Sequence, residues 1–311
     1  MRNVHITGIM DEVRIDYADP DIWSRHVELM RAALDAIAAP TVTHVFASEP
    51  YCEELARRFD AKPVTLDLPR TLVPVSGTRV REAPLAYWEH LSPPVRAGLA
   101  LRVVILGAES SGTTTLARDL AKFWRGQGGA LGLTRYVAEY GREYTVKKWA
   151  RARARAIANG KPPPELADLV WTSDEFVHIA TEQAAQENAA AAAGGPLLIC
   201  DTNALATAVW HERYLDEWRE DIAQAANVVK YSLYLLTDHQ DIPFEQDGLR
   251  DGEHKRAWMT ERFQQVLAAQ DAPYLLLSGS REGRLVQALK ATHELLKNGW
   301  KFEPPMQEGE P

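Results

Sequence analysis

Gly107-Ala108-Glu109-Ser110-Ser111-Gly112-Thr113-Thr114-Thr115 is the stretch on which the reading of this chain turns. Upstream lies the apolar run Val103-Val104-Ile105-Leu106. Downstream, Leu116-Ala117-Arg118-Asp119-Leu120-Ala121-Lys122-Phe123 repeats its apolar residues at helical spacing. Strand, glycine loop and helix in that order are the context in which G-x-x-x-x-G-x-[ST] forms a phosphate-binding loop. Its backbone N–H groups converge on phosphate oxygens at the positive end of the helix dipole. The pattern is broken at one position, where Thr113 stands in place of the lysine that reaches the terminal phosphates.

Beyond the loop helix, residues 132–137 read as a second strand that leads into Glu139-Tyr140-Gly141-Arg142-Glu143-Tyr144. Acidic and aromatic residues there would sit on the ligand-facing rim of an open parallel sheet. Glu139 and Glu143 are four apart and share a face if a helix has begun. The basic stretch at 147–155 alternates with alanine and reads as a solvated helix face. Pro162 to Pro164 break that helix, and a long one is expected over 165–193, stopped by Gly194-Gly195-Pro196. Asp174 and His178 within it read as a surface pair, since no third metal ligand accompanies them.

Pro196-Leu197-Leu198-Ile199-Cys200-Asp201-Thr202-Asn203 has the pattern of a buried strand ending in a carboxylate. In phosphate-loop enzymes such a carboxylate stands beside the magnesium ion. Residues 204–226 hold Trp210, His211, Tyr214 and Trp218, suited to a core, a lid or base stacking. After a strand at 230–236 comes a polar stretch, 237–252, too long for a plain connector. It carries Arg250 and is followed by His254, Lys255 and Arg256, and an arginine-bearing loop of this kind can close over a phosphoryl group and exclude water. A last strand at 274–277, a last helix at 281–296 and a proline-rich, acidic and disordered tail at 303–311 complete this half.

Toward the N-terminus, a strand is expected at 4–9, a helix at 21–37, strands at 43–47 and 63–68, and a helix at 53–59 between them. That alternation describes a small α/β unit with a parallel sheet. It ends in Val75-Ser76-Gly77-Thr78-Arg79-Val80-Arg81, which resembles the I-S-x-T-x-x-R signature of nucleotidyltransferases that join adenylate to nicotinamide mononucleotide. Ser76, Thr78 and Arg81 hold its capping and phosphate-gripping positions. The H-x-G-H that such enzymes use to stabilise transition-state charge is absent from the sequence. Either a segment upstream of Met1 is missing or this front part is a remnant, and we read residues 1–100 as the remnant.

The chain has 311 residues, 46% of them hydrophobic and 25% charged, with a formal net charge of -8. This is an ordinary globular composition whose acidity argues against broad nucleic-acid binding. Cys52 and Cys200 match no metal or redox spacing, no apolar run nears the roughly 20 residues of a membrane span, and no signal sequence opens the chain. A cytoplasmic protein that binds neither membrane nor nucleic acid is expected.

Taken in order, V-S-G-T-R-V-R at 75–81, the loop at 107–115, E-Y-G-R-E-Y at 139–144, D-T-N at 201–203 and D-G-L-R-D-G at 247–252 resemble the NadR-type bifunctional proteins of nicotinamide salvage. The resemblance implies a shortened nucleotidyltransferase-like α/β domain (1–100), then a P-loop ribosylnicotinamide kinase domain with a parallel five-stranded sheet (101–302). It implies phosphorylation of nicotinamide riboside by ATP with Mg2+, and a homo-oligomer is compatible with it. Under that resemblance Gly107, Glu109, Ser110, Ser111, Gly112, Thr113, Thr114 and Thr115 cradle the ATP phosphates. Thr114, or Thr115 in a shifted register, gives a hydroxyl to magnesium. Asp201 orders the metal shell or accepts the substrate proton, and Glu139 or Glu143 holds the ribose. Tyr140 and Trp210 stack on the nicotinamide, while Arg250, with Lys255 and Arg256, descends on the phosphates. Asn203 stands where the family often has a second Asp. Two alternatives stay open: a P-loop kinase for another nucleoside or small alcohol, and a non-catalytic sensor of ATP or NAD. No helix-turn-helix supports a repressor role.

Overall fold

The structure is a computed structural model, and it describes residues 4–225, 230–240, 242–245 and 252–302. Two compact units divide the chain between Ala83 and Pro84. In the first, α1 (Pro20–Ala36) starts where the Asp19 carboxylate accepts from the N–H groups of Asp21 and Ile22, with Pro20 in the first helical position. Strand β1 (His44–Ala47), helix α2 (Cys52–Arg58), strand β2 (Lys62–Thr65) and helix α3 (Gly77–Glu82) follow. β1 and β2 pair in parallel, as the alternation predicts. Trp23, Val27 and Leu55 form their small core. Residues 4–9 correct the expectation: they form no strand, and Val4 and Ile6 lie exposed.

The second unit begins earlier than the predicted boundary near residue 100. Helix α4 (Pro84–Tyr87), a 3-10 turn at Trp88–His90 and helix α5 (Pro93–Leu99) belong to it. Trp88 is fully buried and donates its indole N–H to the Gly194 carbonyl at 3.0 Å. Proline and serine punctuation marked a connection here, but a tryptophan side chain anchors the segment to the core.

Strands β3 (Leu101–Gly107), β4 (Arg135–Val137), β5 (Leu197–Asp201), β6 (Leu233–Thr237) and β7 (Tyr274–Leu277) form one parallel sheet of order β4-β5-β3-β6-β7. The expected five-stranded parallel core is therefore present. Its central strands are apolar on both faces because helices cover both. Val104 and Leu106 pack with Met259 and Phe263 on one side, and Val103 and Ile105 pack with Leu120 and Trp124 on the other. The covering helices are α6 (Thr113–Arg125), α7 (Tyr140–Ala158), α8 (Ser173–Ala193), α9 (Ala204–Leu215), α10 (Glu220–Ala223), α11 (Arg256–Ala268) and α12 (Arg281–Asn298).

Two expectations shift. The long helix predicted over 165–193 is a short turn at Leu166–Asp168 followed by α8, whose start is fixed by a reciprocal cap between Thr172 and Glu175. The strand predicted over 132–137 is reduced to β4, since a 3-10 turn occupies Gly129–Leu133. The basic stretch 147–155 lies on α7, which buries none of its residues. Among the described residues no helix is long and apolar enough to cross a membrane.

The sheet order makes β3, which delivers the glycine loop, the direct neighbour of β5, which ends in Asp201. Ile105 lies opposite Asp201 in the ladder, and the Thr202 N–H donates to the Ile105 carbonyl at 2.8 Å. A carboxylate 96 positions along the chain is thereby placed beside the loop.

Candidate active site

At the C-terminal ends of these strands a cleft of about 380 Å3 opens, the position where ligands of open parallel sheets bind. The loop forms its floor. Gly107 stands so close to β6 that an added Cβ would meet the Thr237 hydroxyl at 2.3 Å and the Thr237 carbonyl at 2.9 Å. The Ser111 hydroxyl donates to the Ala108 carbonyl and shares a hydrogen bond with the Thr237 hydroxyl, each at 2.6 Å. Ser111 is buried and its side chain holds the loop to the sheet, so only its backbone is left for the phosphate role expected of it. Gly112 has φ +88°, a conformation that favours glycine, and serves as N-cap of α6. Thr113 and Thr114 open that helix and both line the cleft, as does the exposed Thr115.

Asp201 is 3% exposed at the end of β5. Burial pushes its carboxyl above the ordinary aspartate range. Hydrogen bonds from Thr114 and Tyr136 and the charges of Arg118 and Arg142 oppose that push. Tyr136 donates to Asp201 Oδ2 at 3.0 Å, and burial together with Asp201 raises the Tyr136 pKa. The next residue, Thr202, has φ +72°, an outlying value for a β-branched side chain, and lines the cleft. Asn203, where a second carboxylate was conceivable, is the N-cap of α9. Its side chain accepts from Ala206 N and donates to the Tyr234 hydroxyl at 3.5 Å.

The sequence motif at 139–144 is split by its helix. Glu139 is the N-cap of α7 with ψ 109°, outside the helical turn, so the four-residue rule that would align it with Glu143 does not apply. Glu139, Gly141, Arg142 and Thr145 face the cleft. Glu143 is exposed and pairs with Lys147 instead. Tyr140 joins a ring cluster with Tyr144 and His178 beside the cleft, its hydroxyl 3.3 Å from His178 Nε2. Neither Glu143 nor Tyr140 is among the cleft-lining residues, and the nearest tyrosine that is comes from α9.

That aromatic wall is Trp171, Phe176, Trp210 and Tyr214. Trp210 and Tyr214 stack with centroids 6.2 Å apart and planes 22° apart, one helical turn from each other. Lys148, from the basic stretch, is not merely solvated. It pairs with Glu175 at 2.6 Å and lies 4.1 Å from the centre of the Trp171 ring, tying α7 to α8 behind this wall.

Arg213 and Arg256 lie around the loop outside the cleft lining. Arg213 pairs with Glu109 at 3.3 Å, both side chains being at most 9% exposed, and lies 4.8 Å over Trp210. The other Glu109 oxygen accepts from Gly252 N at 2.8 Å, so this loop carboxylate anchors the end of the long polar stretch. Arg256 does not descend on phosphates. It is buried and donates to the carbonyls of His239, Ile242 and Ser110 at 2.8, 2.9 and 3.3 Å. The Ser110 hydroxyl accepts from Glu245 N at 3.0 Å. Lys255 is exposed on a 3-10 turn, and Arg250 lies outside the described residues, as does the tail at 303–311.

A buried polar network backs the cleft. Gln183, 1% exposed, accepts from Tyr140 N and donates to Glu187, which also accepts from the Tyr231 hydroxyl at 2.8 Å. Burial pushes the Glu187 carboxyl up to about 7. In the first unit, Ser76 caps α3 by accepting from Arg79 N, and the exposed Arg81 donates to the Thr78 hydroxyl at 3.4 Å. Thr78 and Arg81 are thus joined to each other on a helix of six residues that Ser76 caps.

The family model described as AAA domain matches residues 102–284, more than half of the chain. Two trifunctional NAD biosynthesis/regulator proteins NadR, from Salmonella typhimurium and from Escherichia coli, are each 24% identical over 251 residues. The match covers 80% of this chain and 54% of theirs, so the chain spans about half the length of these relatives. Among solved structures, a NadR protein in complex with NR superposes with a TM-score of 0.55 at 21% identity, over 91% of this chain and 76% of that one. A NadR protein in complex with NAD and AMP-PNP gives the same TM-score and identity over 94% and 78%. The NadR-type resemblance carried by the motifs and the α/β phosphate-loop fold are borne out. The chain belongs to the AAA domain family.

Proposed function

We propose, taking membership of the AAA domain family as the premise, that the second unit transfers the γ-phosphoryl group of ATP to the 5'-hydroxyl of nicotinamide riboside. The observation that carries this reading is one cleft that holds a phosphate loop, a strand-end carboxylate bonded to the loop threonine, and an aromatic wall. Two solved NadR structures, one in complex with NR and one in complex with NAD and AMP-PNP, support the choice of substrates.

The donor set suits magnesium. Thr114 and Asp201 offer oxygen atoms only, as a hard cation requires. Among the described residues no cluster of three or more His, Cys, Asp or Glu exists to hold a metal by itself, which fits an ion held largely by substrate phosphates. When bound, magnesium would neutralise charge on the phosphates.

The loop N–H groups and the start of α6 take the phosphates. Trp210, Tyr214 and Trp171 receive the nicotinamide, whose positive ring suits aromatic faces. Glu139 holds the ribose end and accepts the hydroxyl proton while the 5'-oxygen bonds to the γ-phosphorus. The bond from that phosphorus to the bridging oxygen breaks, leaving ADP. Asp201, committed to Thr114 and Tyr136, orients the metal-side hydroxyl rather than taking the proton.

Incubation of the purified protein with ATP, Mg2+ and nicotinamide riboside, read by mass, tests this: nicotinamide mononucleotide and ADP are expected. Riboside recovered unchanged, with ATP still bound by the protein, would replace the reading with a nucleotide sensor, which Thr113 favours. NAD among the products would assign adenylyl transfer to the first unit, for which its sequence provides no H-x-G-H.

A further inference from the structure

The loop lacks its lysine, yet phosphoryl transfer gathers negative charge that a cation normally meets. Several arginines stand around the loop without lining the cleft, and they make their contacts within the protein. Arg213 is paired with Glu109, Arg256 is bound to three backbone carbonyls, and Arg284 donates to the Gly279 and Ser111 carbonyls at 2.9 and 2.8 Å. Arg118 lies 5.8 Å from the centre of the Tyr136 ring and hydrogen-bonds to that residue.

Arg142 differs. It lies in the first turn of α7 with an exposed side chain and lines the same cleft as Thr113, Thr114 and Asp201. Its charge is felt at Asp201, the residue hydrogen-bonded to the loop threonine, so its field reaches the phosphate end of the cleft. A cation in a helix's first turn is opposed by the dipole. An anion bound in the cleft would turn that unfavourable position into an attractive one. A guanidinium also grips phosphate oxygens in a two-pronged fork, which an ammonium does not.

We propose that Arg142 is the catalytic cation of this site, replacing from α7 the charge that Thr113 removes from the loop, and that it acts on the β- and γ-phosphates of the bound nucleotide. The inference rests on the kinase reading for its catalytic part and on nucleotide binding alone for its electrostatic part.

The test compares the wild-type chain with Arg142→Ala, Thr113→Lys, the double variant and Arg250→Ala. Titrations with ATP and with AMP accompany the rate of mononucleotide formation. Arg142→Ala should lower turnover about 100-fold, the scale of losing one preorganised charge donor. It should weaken ATP about tenfold and leave AMP unchanged, because AMP lacks the β- and γ-phosphates. In the Thr113→Lys background the same substitution should cost much less, since the charge has been restored at its usual place.

Equal ATP affinity in Arg142→Ala and wild type would overturn the inference. So would an undiminished loss in the Thr113→Lys background, which marks a structural role, or a rescue by Thr113→Lys of Arg250→Ala but not of Arg142→Ala. If no variant phosphorylates nicotinamide riboside, the substrate reading fails by itself and the ATP-against-AMP titrations still decide the inference.

Discussion

At the scale of single residues, side chains of one motif have separate duties. In the loop, Thr114 bonds to Asp201 while Ser111 spends its hydroxyl on Ala108 and Thr237. Glu187 shows how burial sets a titration. Its partners are Gln183 on α8 and the Tyr231 hydroxyl, and Cys200 on β5, Tyr234 on β6 and Arg102 on β3 act on it or lie in its surroundings. Its pKa is raised from about 4.5 to about 7, so the folded protein prefers the neutral acid. The stability this gives is complete below the unfolded value and is lost as pH rises through the folded one, about 3 kcal/mol across the window. In Glu187→Gln the amide oxygen accepts from Gln183 and the amide NH2 donates to the Tyr231 hydroxyl, which donates to Glu187 in the wild type. Thermal melts should show the variant near wild type at about pH 5 and more stable than wild type at about pH 8. A wild-type melting point no lower at the higher pH, with no gain in the variant, would contradict this account.

At the scale of elements, the decisive unit is β3, loop and α6. The apolar run and the helical spacing around it specify the unit without reference to any tertiary contact. Its weak point is Gly107, where a methyl group would collide with both the side chain and the backbone of Thr237. Gly107→Ala should therefore push the loop away from β6, lowering stability by about 1–3 kcal/mol and weakening ATP in calorimetric titration. Unchanged ATP affinity would show that the loop can absorb the shift. Helix α7 supplies the opposite lesson. Its residue spacing predicted a shared face for Glu139 and Glu143, and the N-cap at Glu139 removed that residue from the helical repeat. Tyr140, adjacent to the cap, consequently turns toward His178, and Tyr214 from α9 lines the cleft.

At the scale of the molecule, the second unit owns Pro84–Leu99 because Trp88 is buried in the larger apolar cluster. Trp88→Ala should cost about 3–5 kcal/mol, combining lost burial with a cavity, and should drop the melting temperature of the second unit. A variant that melts with wild type would return the boundary to the neighbourhood of residue 100.

The sequence alone determined the phosphate loop, the parallel α/β architecture, the placement of Asp201 at a strand end and the family resemblance. Each of these is written in local periodicity, in short motifs or in their order along the chain. The tertiary structure alone decided which polar groups line the cleft and which pair within the protein. Arg213 meets Glu109, Lys148 meets Glu175, Arg256 meets backbone carbonyls, and Arg142 points where Glu143 does not. Those pairings join residues far apart in the chain or depend on where a helix starts, and a side chain's partner is set by packing and desolvation rather than by spacing. The missing loop lysine was visible in the sequence at Thr113. Only the fold brought an arginine from another element into the same cleft.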